Sequence, residues 1–164
     1  MTMRFFLMGI LLLTSTLAHS EDSRTTVTVK VTVIAPASCV LNDGNAVNVD
    51  FGNDMVTKKV DGSNYKRPIP VNLVCTGVTN NAMKFQLKGT RASFGGTNIL
   101  ATNNPNLGIA IQILGLNVAV PLNSNVSFTY PNIVKLQAVP VKKPDSTLSS
   151  GKFSAGATLT VDYQ

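Results

Sequence analysis

The last fourteen residues, Gly151 to Gln164, read GKFSAGATLTVDYQ. Phe153, Ala155, Ala157, Leu159, Val161 and Tyr163 share one face, while Lys152, Ser154, Gly156, Thr158, Thr160 and Asp162 share the other. Strict period-two alternation marks a half-buried β-strand, because helical apolar positions recur three and four apart. A strand this apolar needs a neighbour on each side, and no segment follows Gln164 to supply the last one. The expectation is a sandwich strand with one flank missing. A second strand has the converse problem. In Arg24 to Cys39, RTTVTVKVTVIAPASC, Val27, Val29, Val31 and Val33 alternate with Thr26, Thr28, Lys30 and Thr32. No hairpin turn ties this strand to the next one, so its pairing partner is not evident from its surroundings.

Residues 1–20 read as a leader rather than as part of the fold. Arg4 is followed by the apolar run Phe5 to Leu13, and Ala18-His19-Ser20 offers small residues at the positions a signal peptidase reads. A membrane anchor needs roughly 20 apolar residues, about twice this run. Export is therefore expected, with a mature chain from Glu21. Cys39 and Cys75 are the two cysteines, and in an oxidising compartment they are expected to pair. The alternatives are a catalytic thiol or a metal site. A thiol nucleophile wants a nearby base, and the single histidine, His19, leaves with the leader. Two cysteines without histidines make a poor zinc site.

The mature chain of 144 residues is enough for one domain with its own core. It keeps 13 Lys and Arg against 8 Asp and Glu, because Arg4 is the only charge lost with the leader. These charges are scattered apart from the pairs Lys58-Lys59, Lys66-Arg67 and Lys142-Lys143. They have no accompanying stacking aromatics, so they read as a solvated surface and not as a nucleic-acid footprint. Alternation recurs through the chain: Val47, Val49 and Phe51; Ile69, Val71, Leu73 and Cys75; Met83, Phe85 and Leu87; Ile109, Ile111 and Ile113; Val134, Leu136 and Ala138. Turn formers separate these runs, at Asn42-Asp43-Gly44, Asp61-Gly62-Ser63, Thr79-Asn80-Asn81, Gly95-Gly96 and Asn103-Asn104-Pro105. Short, evenly punctuated strands point to an all-β sandwich.

The two anomalies cancel if the leading strand of one copy completes the sandwich of another by strand addition. Such a contact is head-to-tail, does not close on itself, and generates a fibre. At this point the sequence resembles the subunits of chaperone–usher fimbriae of the type 1 and P pilus kind. The resemblance rests on CVLNDG from Cys39, VNVDFGN from Val47, VNLVC ending at Cys75, KFQLKG from Lys84, NILAT from Asn98, LGIAIQI from Leu107 and the closing SGKFSAGATLTVDYQ. The family's glycine at the fourteenth position from the end and its penultimate tyrosine fall on Gly151 and Tyr163.

The resemblance implies an incomplete immunoglobulin-like sandwich lacking its seventh strand, with a free N-terminal donor strand. It divides the chain into a signal peptide at 1–20, an N-terminal extension at 21–38 and a pilin domain at 39–164. It implies an acceptor groove and chaperone-binding face along Gly151, Phe153, Ala155, Ala157, Leu159, Val161 and Tyr163, with the terminal carboxylate of Gln164 anchored by a periplasmic chaperone. An outer-membrane usher and neighbouring fimbrial subunits are the further partners, and the assembled tip can meet a host receptor. No cofactor, metal or nucleic acid is implied. Val27, Val29, Val31 and Val33 become the groove-filling side chains. Many family members carry a glycine within this extension, and Glu21 to Ser38 has none; Val31 or Thr32 stands in that place. Either the receiving groove is wider there or the register differs. The length leaves room for the pilin domain alone, and VDFGN, NILAT and GIAI resemble minor tip or adaptor subunits more than rod subunits. A small lectin-like module is the alternative binding reading, but no tryptophan and only Tyr65, Tyr130 and Tyr163 are present to build a sugar platform. An exported enzyme is the third class. It lacks a mature histidine, and its one glutamate is Glu21; Asp43, Asp50, Asp54 and Asp61 lie in or near turns, where capping is the ordinary role. The sequon at Asn125-Val126-Ser127 is read as incidental.

Overall fold

The structure, a computed structural model, describes Lys30 and residues 38–164. The leader at 1–20 and the valines of the expected donor strand, Val27, Val29, Val31 and Val33, lie outside the described residues.

Among the described residues nine strands follow in order: β1 Ser38–Leu41, β2 Arg67–Ile69, β3 Leu73–Thr76, β4 Ala82–Gly89, β5 Ile99–Ala101, β6 Leu107–Ile113, β7 Asn125–Thr129, β8 Leu136–Lys142 and β9 Ala157–Tyr163. They form antiparallel sheets in the orders β1-β3, β2-β8-β6-β5 and β7-β4-β9. Among the described residues no helix is long and apolar enough to cross a membrane.

β4 shows how alternation becomes packing. Met83, Phe85 and Leu87 are buried on its inner face, and Phe85 meets Phe128 of β7 with ring centroids 6.2 Å apart. They form one core with Leu73, Leu100, Ile109, Ile111, Val120, Leu122, Leu136 and Ala138. β6 and β8, paired from Leu107↔Lys142 to Ile113↔Leu136, are buried on both faces. Ala110 and Val139, on the faces turned from the main core, pack with Ile99, Phe94 and Ala92. Gly108 allows this second layer to close: a Cβ there would lie 3.1 Å from the Leu100 carbonyl oxygen and collide with Ile99.

The turns fall where the punctuation puts them. Asn42, Asp43 and Gly44 all adopt positive φ (47°, 53° and 79°), and the Asn42 side-chain oxygen accepts from the Asn72 N–H at 2.6 Å. Four expectations need correction. The closing strand is shorter than its alternation: β9 starts at Ala157, and Phe153 and Ala155 lie ahead of it outside any strand. The run Ile69 to Cys75 is split into β2 and β3, because Pro68 and Pro70 lack an N–H for a continuous ladder. β1, β5 and β7 are strands with no counterpart among the alternating runs. The run Val47 to Phe51 is not a strand, although its facing is as expected: Val47, Val49 and Phe51 are half-buried while Asn48 and Asp50 are exposed. No strand among the described residues pairs with it.

Candidate functional site

Cys39 and Cys75 are bonded, joining directly opposed positions of β1 and β3. Beside this bond the Tyr163 hydroxyl lies 3.2 Å from the Cys39 sulfur, so the far end of β9 rests against the cross-link.

Among the described residues β9 is an edge strand, with one ladder, to β4, running from Met83↔Tyr163 to Gly89↔Ala157. The Gln164 N–H donates to the Ala82 carbonyl at 3.1 Å, which fixes the phase of the ladder. In an antiparallel pair, residues alternate between bonding the partner and pointing away. Thr158, Thr160 and Asp162 therefore bond β4. The N–H and C=O groups of Ala157, Leu159, Val161 and Tyr163 point to the free edge. These are the same residues whose side chains form the apolar face. The burial reflects the missing flank: Leu87 on β4 is 7% exposed, whereas its direct partner Leu159 is only half-buried.

Alongside β9 runs a groove of ≈ 1240 Å³. One wall is the segment 148–159, and the other is 41–53. Its floor is apolar, with Leu87 from the β7-β4-β9 sheet and Ile69, Leu100, Ile109, Ile111 and Ala138 from the β2-β8-β6-β5 sheet. The walls touch through Phe51 and Phe153, whose centroids are 5.7 Å apart at 41°. The ionisable groups on the lining are Asp50, which caps its own turn by accepting from the Gly52 N–H at 2.8 Å, and Lys152. Both walls present alternating inward apolar residues, and neither wall is paired across the groove among the described residues. The geometry suits an extended segment with an apolar side chain at every second position.

Of the residues expected at the groove, Gly151, Phe153, Ala155, Ala157 and Leu159 line it. Val161 and Tyr163 lie farther along β9, packed against the main core. Gln164 is exposed, and its side-chain amide donates to the Met83 carbonyl at 3.0 Å and to the Ser127 hydroxyl, clamping the chain end onto β4. The opposing wall at 41–53 is absent from the expected site residues. Its signal was the alternation of Val47, Val49 and Phe51, which marks an inward face without saying what it lines. Among the described residues no group of three or more His, Cys, Asp or Glu is placed to hold a metal.

The sequence matches the family model described as Fimbrial protein over residues 27–164. It is similar to the uncharacterized fimbrial-like protein YfcR of Escherichia coli (strain K12), 39% identical over 82% of this chain and 78% of that protein. It is similar to the fimbrial-like protein YfcQ of the same strain, 33% identical over 99% of this chain and 100% of that one. The fold resembles the structure of the P pilus adaptor subunit PapF, with a TM-score of 0.61 and 25% identity over 77% of this chain and 95% of that one.

Proposed function

The chain belongs to the fimbrial protein family, and from that premise we propose that it is a fibre subunit joined to its neighbours by donor-strand exchange. Residues 21–38 act as the donor, with Val27, Val29, Val31 and Val33 filling the groove of the next subunit. The groove beside β9 is the acceptor, occupied first by a strand of a periplasmic chaperone and then, at an outer-membrane usher, by another subunit's extension. The protein is exported through the periplasm to the cell surface, where its fimbria supports adhesion. The likeness to a P pilus adaptor supports a minor or adaptor subunit, with a rod subunit as the alternative. The reading assigns the chain no reaction.

One observation carries the proposal: among the described residues β9 has an unpaired edge, which starts at Ala157 and Leu159 in an apolar groove whose other wall is also unpaired. An incoming strand would find four N–H and four C=O groups on Ala157, Leu159, Val161 and Tyr163. It would also cover half-buried apolar surface on both walls. Each hydrogen bond contributes roughly 0.5–1.5 kcal/mol net, and each valine side chain removed from water roughly 1.5–3 kcal/mol. Ordering the donor segment opposes a large part of this.

Deleting residues 21–36 and co-expressing the product with its chaperone tests the assignment. The truncated chain should still bind the chaperone through its groove but fail to donate to another subunit. Polymerisation of the truncated chain through the same face would overturn it.

A further inference from the structure

The β6–β7 connection exposes three large apolar side chains at one tip. Leu114, Leu116 and Val118 are 41%, 68% and 52% exposed. The tip is nevertheless firmly built. The Ile113 N–H donates to the Val118 carbonyl at 2.8 Å, and Gly115 and Asn117 turn the chain at positive φ (81° and 54°). The Asn117 side-chain oxygen accepts from the Lys66 ammonium at 2.7 Å and from the Gln137 amide at 3.1 Å. Gln137, 4% exposed, also donates to the Gln112 side chain at 3.0 Å. A buried amide thus fixes a hairpin whose apolar residues face water. Such preorganisation reduces the ordering penalty of a contact.

The tip's position indicates what it meets. Ser38, where the described domain begins, pairs with Thr76, and the adjacent Cys75 N–H reaches the Tyr130 hydroxyl at 3.3 Å. Residues 131–135 alone separate Tyr130 from β8, and the Lys135 carbonyl accepts from the Leu114 N–H at 2.9 Å. The tip therefore stands at the same end of the domain as Ser38. Residues 21–38 join the domain at this end, so a subunit that receives them must lie beyond it.

We propose that Leu114, Leu116 and Val118 dock on the neighbouring subunit that receives residues 21–38, as a second, domain-to-domain contact beside the donated strand. The inference rests on the donor-strand reading, and its test separates the two. A photo-reactive benzophenone side chain is placed at position 116 of the full chain, or in parallel at position 29, and fimbriae are assembled on cells and irradiated. The expected result is that both probes cross-link this subunit to the same neighbour. A probe at position 118 should do so too, guarding against a poor angle at 116. A cross-link from position 29 alone, or capture of a different protein by 116 and 118, overturns the second contact and leaves strand donation standing. No subunit cross-link from position 29 overturns both.

Discussion

Leu87 and Leu159 sit directly opposite each other on β4 and β9, and both line the groove, yet they differ in burial. Leu87 is 7% exposed, and Leu159 is half-buried on the free-edge strand. This pair allows the missing-flank idea to be tested by differential cost. Truncating a fully buried leucine to alanine costs about 2–5 kcal/mol. Leu87→Ala should carry that cost whether or not the groove is filled. Leu159→Ala should carry roughly half of it in the unoccupied subunit and nearly all of it once a strand covers it. The difference, about 1–2.5 kcal/mol, appears as weaker strand binding, roughly 5- to 70-fold. Urea unfolding of each purified variant gives the first quantity. Fluorescence polarisation of a labelled peptide of the N-terminal extension of the subunit that fills this groove gives the second. Equal destabilisation by the two substitutions, with peptide affinity unchanged by Leu159→Ala, would refute the reasoning.

Reducing the Cys39–Cys75 bond, whose partners are 36 residues apart, should remove about 4 kcal/mol by the chain-entropy model, read as a lower urea midpoint with dithiothreitol than without. Asp61 accepts hydrogen bonds from the Asn64 and Ser63 backbone N–H groups at 2.9 and 2.8 Å, and these hold its carboxyl below the ordinary aspartate range, with Lys66 adding a smaller effect. A depressed folded-state value means that this stabilisation is present above the unfolded-state pKa and is lost as pH falls through the lower folded-state one. Asp61→Asn should therefore flatten the acid side of a urea-midpoint profile while leaving the strand-binding affinity unchanged. An acid limb identical to that of the wild type would show that the loop anchor has no influence on stability.

In each strand it found, alternation identified the face that points into the main core. Met83, Phe85 and Leu87 pack as their spacing predicts, and so do Leu159, Val161 and Tyr163, though only partly covered. Where both faces are buried, alternation undercounts. Gly108, Ala110 and Val139 belong to the interior because Phe94, Ala92 and Ile99 cover the second face of β6 and β8, and no local pattern announces that cover. β7 carries only Val126 and Phe128 as apolar residues among Asn, Ser and Thr, a signal too short to stand out. The segment Val47 to Phe51 teaches a sharper lesson. Period two reports which way side chains face, whereas a ladder also needs a partner for the backbone. That wall of the groove has the facing without the partner, so the same alternation is legible yet no strand forms.

Residue-resolved hydrogen exchange along β9 interrogates the unpaired edge most directly. In the subunit alone, the amides of Thr158, Thr160 and Asp162, which bond β4, should be protected, while those of Leu159, Val161 and Tyr163 exchange rapidly. Adding a peptide of the neighbouring subunit's N-terminal extension should slow the second set to match the first. Uniform protection along β9 without the peptide would mean that the strand already has both neighbours, and the account of a borrowed strand would be wrong.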